Sequence, residues 1–132
     1  MTRDDVPSPK PLVDKLGVKE GQRVAVVGLD DPTFVGQVLE RGADVQVGRR
    51  RVGADLMVVG VEGRRDLLRL RTHREFIARD GAIWVVWPKG SPAVNENDVR
   101  EAALEAGLVD VKVVSFSPTR SALKLVFRLR DR

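Results

Sequence analysis

The chain has 132 residues, enough for one domain with a real core, and 42% of them are hydrophobic, a globular balance rather than a disordered one. It carries 23 basic and 19 acidic residues, for a net charge of +4. It has no cysteine, which excludes disulfides, thiolate metal sites and cysteine nucleophiles.

Met1 to Lys10 are polar and broken by prolines, the pattern of a flexible arm, so a single domain is expected over residues 11–132. This start lacks the apolar core of a signal peptide, and no run approaches the ~18 apolar residues of a membrane span. The expectation is a cytoplasmic protein with no membrane partner. Pro11 to Leu16 reads as a short helix, with Pro11 suited to the first helical position and Gly17 to a left-handed cap. Arg23 to Gly28 is a first buried strand. Asp31 and Pro32 then open a helix running to Arg41, with Val35, Val38 and Leu39 as its sheet-facing stripe.

Ala43 to Val47 alternates and reads as an outer strand. Gly48 to Gly53 is a polar connection, and Asp55 to Val61 is a second continuously apolar strand. Arg64 to Arg79 is a helix candidate with a poor stripe, in which Leu67, Leu70, His73 and Ile77 share one side. Gly81 to Trp87 is the most apolar stretch and holds both tryptophans. Without alternation it reads as a central strand covered on both faces, stopped by Pro88. Trp84 and Trp87, three apart, should face opposite sides. Asn95 and Asp98 form a capping box for a helix over Glu96–Ala106, ended by Gly107. Val109, Val111 and Val113, then Leu123, Leu125, Phe127 and Leu129, alternate with polar neighbours. This is an antiparallel hairpin, apolar on one face and turning at Ser117–Ser121. The fold class that follows is α/β: a doubly wound, mostly parallel sheet ending in an antiparallel pair.

The element order and several phrases resemble a known family. The phrases are Pro11 to Gly21, Gly81 to Lys89, Val99 to Leu104, Gly107 to Val113, and Ser121 to Val126. They are similar to a family of small bacterial proteins of unknown function with a shortened, degenerate class I S-adenosylmethionine-dependent methyltransferase fold. The resemblance implies a Rossmann-like fold and supplies no mechanism. Working methyltransferases hold their cofactor with a glycine-rich loop after the first strand and an acidic residue after the second. Here the first loop, Gly28-Leu29-Asp30-Asp31-Pro32, has one glycine, and the second strand ends in Gly48 and Arg49. One strand–helix unit is also missing between Val47 and Asp55. No cofactor is therefore expected, the motifs for S-adenosylmethionine being lost.

Two groups of candidate site residues remain. In open parallel sheets ligands collect outside the carboxyl ends of the strands. That places Gly28, Asp30 and Asp31 on one part of the rim and Trp87, Lys89 and Ser91 on another. Asp31 alternatively serves only as a helix cap. The second group is a basic face. Nine arginines and four carboxylates lie between Arg49 and Arg79, and Arg49, Arg50, Arg51, Arg64 and Arg65 are its leading members. No motif for sequence-specific nucleic-acid recognition accompanies them. His73, the only histidine, has no second ligand for zinc and is expected on a helix surface or half-buried.

The leading expectation is a non-catalytic binding or regulatory module, with an unknown protein partner or a homodimer formed through an edge. The alternative is an enzyme or small-ligand binder using the rim, including for an adenosine-like compound. A third reading is a phosphate or nucleic-acid binder acting through Arg49–Arg79.

Overall fold

The computed structural model describes residues 10–132, so all of the expected arm except Lys10 lies outside the described residues. The first helix, α1 (Leu12–Leu16), is only five residues long and is held by its ends. Gly17 takes φ 77°, a conformation that favours glycine, and lets the Val18 N–H reach back to the Val13 carbonyl at 2.9 Å. Pro11 sits at the cap itself rather than one residue inside the helix.

There follow β1 (Arg23–Val27), α2 (Pro32–Glu40), β2 (Asp44–Val47), β3 (Ala54–Gly60), α3 (Arg64–Leu67) and α4 (Leu70–His73). A 3-10 turn over Arg74–Phe76 leads into β4 (Ile77–Pro88), α5 (Glu96–Glu105), β5 (Leu108–Ser117) and β6 (Arg120–Phe127). One six-stranded sheet has the order β2-β1-β3-β4-β6-β5. β1, β2, β3 and β4 pair in parallel, while β6 runs antiparallel to both β4 and β5.

Strand β4 divides the core. Ile83, Val85 and Trp87 pack with residues of α3, α4 and α5. Ala82, Trp84 and Val86 pack with residues of α1 and α2. The unbroken apolar run is what a strand covered on both sides requires. Trp84 is fully buried, and its indole N–H donates to the Leu16 carbonyl at 2.9 Å, tying α1 to the sheet. On the other side α5 starts with a reciprocal capping box. Asn95 accepts from the Asp98 N–H, and the Asp98 carboxylate accepts from the Asn95 N–H.

Four local expectations are corrected. Arg64–Arg79 is not one helix. It forms two single turns and a 3-10 turn, and the chain is already extended at Ile77. Ile77 pairs with Ala54 and Ala82 with Leu56, so residues 78–81 bulge out of the ladder. The bulge needs Gly81, because a Cβ there would lie 2.9 Å from the Asp55 carbonyl oxygen. In α2 the buried residues are Phe34 and Val38, while Leu39 points outward at 55% exposure. Phe34 packs edge-on against Phe116 of β5, at 5.1 Å between ring centroids, and this sets the rotation of the helix. In the hairpin, Val111 and Val113 stay exposed. The β5–β6 register shifts between Asp110 and Lys112, leaving Val111 as the extra residue on the outermost strand of the sheet. Leu108, Leu123, Leu125 and Phe127 are buried on the α5 side instead, and Phe116 is buried on the opposite face with Phe34 of α2. Last, His73 is buried at 2% exposure, not on the surface. It continues the three-residue spacing of Leu67 and Leu70, the residues that turn α3 and α4 toward the sheet.

Candidate functional site

The chain leaves β1 toward β2 on one side, and β3 lies on the other side. Their carboxyl ends therefore form the crevice where ligands collect in sheets of this kind. It is lined by Val27 and Gly28 from β1, Val59 and Gly60 from β3, and His73 and Arg69 from the following helices, with Glu62 and Asp66 at its side. Its volume is about 130 Å³.

Two glycines set that size. Gly28 has φ 69°, and a Cβ on it would sit 2.9 Å from the Gly60 carbonyl oxygen. A Cβ on Gly60 would fall deep inside contact distance of the Gly28 carbonyl, and 3.1 Å from Leu29 Cα. The two strand ends thus touch backbone to backbone, where a wider crevice would need them parted.

Below the contact lies His73. Arg50 comes from the connection between β2 and β3, stacks its guanidinium over Phe76 at 5.5 Å, and donates from Nε to His73 Nδ1 at 3.0 Å. A guanidinium only donates, so Nδ1 is the acceptor and the neutral ring carries its proton on Nε2. Burial, with the positive charges of Arg50 and Arg69, pushes the His73 pKa down from 6.5 to about 4. The ring is neutral at physiological pH and offers a hydrogen-bond donor rather than a base.

Of the six rim candidates, only Gly28 lines this crevice. Asp31 caps α2, accepting from the Phe34 N–H at 3.0 Å, and Asp30 is exposed. Trp87 is buried in the core on the α5 side, with 5% exposure. Lys89 is tied to the hairpin: its N–H donates to the Thr119 carbonyl at 2.8 Å, and Nζ to Ser115 Oγ at 2.8 Å. The Ser91 hydroxyl accepts from the Ala93 N–H at 3.1 Å. The two halves of the rim are separated by β3 and do not converge.

The basic-face candidates also disperse. Arg49 and Arg65 are exposed. Arg50 is committed to His73, and Arg64 lies 3.7 Å from Asp98 on α5. Arg51 binds the Asp44 side chain at 2.5 Å, and this hydrogen bond holds the Asp44 carboxyl below its usual range. Residues that the sequence did not place at the crevice are Gly60, Glu62, Asp66, Arg69 and His73. A glycine closing each of two adjacent apolar strands was the available signal for Gly60. The Leu67, Leu70, His73 spacing was the signal for the histidine.

Among the described residues no group of three or more carboxylates and histidines could hold a metal ion, and no helix is long and apolar enough to cross a membrane.

No protein-family model and no curated protein matches the chain. Solved structures do. An S-adenosylmethionine-dependent methyltransferase from Aquifex aeolicus aligns with TM-score 0.69 at 14% identity, over 86% of this chain and 86% of that one. One from Corynebacterium glutamicum aligns with TM-score 0.66 at 14% identity, over 89% and 85%. An O-methyltransferase from Thermotoga maritima aligns with TM-score 0.67 at 10% identity, over 92% of this chain and 65% of its own. At such identities the likeness concerns fold alone. The chain has a mixed α/β sheet of methyltransferase type, in a shortened form.

Proposed function

We propose that this chain is a non-catalytic binding module that keeps a methyltransferase-like framework without its cofactor site. The observation that carries this reading is the Gly28–Gly60 backbone contact, with about 130 Å³ of crevice beneath it. Sites for small molecules and cofactors typically enclose about 300–1,000 Å³. The residues present do not fit S-adenosylmethionine. The crevice is too small, the loop after β1 has one glycine, and Gly48 and Arg49 follow β2 where a ribose-binding carboxylate would stand. The helix after β1 also presents Asp30 and Asp31 at its start, beside that same crevice end. The surfaces left for a partner are the dispersed arginines and the outer strand β5.

Isothermal titration with S-adenosylmethionine and with its demethylated product tests the reading. No heat of binding is expected for either. Saturable one-to-one binding with a micromolar Kd would sink it, since the crevice would then have to open.

A further inference from the structure

The amino end of the sheet carries a second concavity, larger than the crevice. It holds about 420 Å³ and is walled by Arg71 of α4, Arg74 of the 3-10 turn and Arg128 just after β6, with Glu75, Glu105 and the Ala106–Gly107 turn. Parallel strand β4 ends at Pro88, level with the start of β6 at Arg120, whereas β6 ends at Phe127 beside the start of the apolar run at Ala82, so this pocket lies opposite the candidate site.

Its centre is prebuilt. Arg74 lies over the Phe127 ring at 5.0 Å and donates from Nη1 to the Ala106 carbonyl at 2.7 Å. Its Nε is buried without a partner. Gly107 makes room for it, because a Cβ there would fall 2.6 Å from Arg74 Nη1. Arg79 covers the same ring at 5.2 Å, and Arg132 donates from Nε to the Phe127 carbonyl at 2.9 Å. Arg74 and Arg79 thus flank one phenylalanine, Arg132 holds its carbonyl, and Arg71 and Arg128 line the pocket beside Arg74. Among the described residues none of them is in an ion pair, although Arg41, Arg51, Arg64, Arg100 and Arg120 all are. The Arg71 and Arg128 side chains make no hydrogen bond among the described residues.

We propose that this basal pocket binds an oligophosphate group. Planar guanidinium forks match phosphate oxygens, and several forks around a concavity match a chain of them. Glu75 and Glu105 on the same wall oppose a singly charged anion, so the pocket selects a ligand whose charge exceeds theirs. No aromatic ring lines it, and both tryptophans and Phe127 are buried, so bases have no stacking platform. That favours a free oligophosphate over single-stranded nucleic acid. The pocket shares no residue with the β1–β3 crevice, so this inference stands or falls separately from the reading of that crevice.

The test is titration calorimetry with sodium tripolyphosphate, with acetate and a mixed-sequence single-stranded oligonucleotide as comparison ligands. One-to-one binding of tripolyphosphate is expected, weakened by salt and stronger than that of either comparison ligand. Arg71→Ala and Arg128→Ala should each weaken it by at least about tenfold, because each removes charged hydrogen bonds. Lys112→Ala, which removes one charge on the outer strand, should leave it unchanged. Circular dichroism checks the fold, and Arg71→Gln and Arg128→Gln replace any alanine variant that loses it. The proposal is overturned by no binding at millimolar ligand, by equal loss in Lys112→Ala, by unaltered affinity in both arginine variants, or by tighter binding of the oligonucleotide.

Discussion

His73 gives the chain a specific acid sensitivity. The imidazole is buried beside two arginines, with a folded-state pKa near 4 against an ordinary 6.5. Because the folded value is the lower one, the unfolded chain takes up the proton first as pH falls. The stability tied to a neutral His73 is therefore complete above about pH 6.5 and is lost progressively toward pH 4. At about pH 4.5 the gap between the folded and unfolded titrations amounts to roughly 2.5 kcal/mol. With a urea m-value of about 1–3 kcal/mol/M, the midpoint should drop by about 0.8–2.5 M between pH 7.5 and 4.5 from this group alone. Carboxylates titrate over part of the same range, so the comparison needs a reference. His73→Asn supplies it: the amide oxygen stands near Nδ1, still accepts from Arg50, and does not titrate. The acid loss of the wild type should exceed that of His73→Asn by about 2.5 kcal/mol. Equal losses in the two proteins would show that the histidine is not held neutral, and the argument from burial and Arg50 would fail.

Two further outcomes follow from the packing. Gly60→Ala should destabilise by about 2–4 kcal/mol, since its Cβ meets the rigid backbone of Gly28 and Leu29, whereas Gly36→Ala inside α2 meets nothing within 4 Å and should stabilise by about 0.5–1 kcal/mol. Chemical denaturation of the pair checks both signs, and a neutral Gly60→Ala would mean that the strand ends are not in contact. Trp84→Phe should cost about 1–3 kcal/mol by leaving the Leu16 carbonyl without its donor, and hydrogen exchange should quicken in α1; unchanged exchange there would deny the tryptophan its tethering role.

Much of the architecture was legible because local chemistry and tertiary packing agree. Gly17, Asp31, Asn95 and Gly107 mark helix ends in the sequence, and each marks one in the structure. The two-sided burial of Gly81–Trp87 could be read from its lack of alternation. Legibility failed where a distant contact decides. Nothing local to α2 says that Phe34 will seek Phe116, more than eighty residues on, and so turn Leu39 outward. The 64–79 segment holds helix-forming arginines and leucines, yet the pull of Ala54 on Ile77 ends it early. The rim illustrates the same limit. Strand order places Trp87 near a ligand position, but the direction of its side chain is set by the pleat, which sends it into the core.

The connection between β2 and β3 is six residues long, Gly48 to Gly53, where parallel crossovers ordinarily take a dozen or more. It must step over β1 and run back along it. Val47 is level with Val26, and Val26 with Val58, so the chain returns about four residues of strand, or roughly 13 Å, while crossing two strand spacings. The straight path is about 16 Å, and seven links reach at most about 24 Å, so the slack is about two residues. The segment works as a tether cut nearly to length. Added residues there would simply loop out, whereas losing three would leave four links, about 14 Å at most, and β2 unable to reach its place beside β1, with Arg50 drawn off His73 in the process.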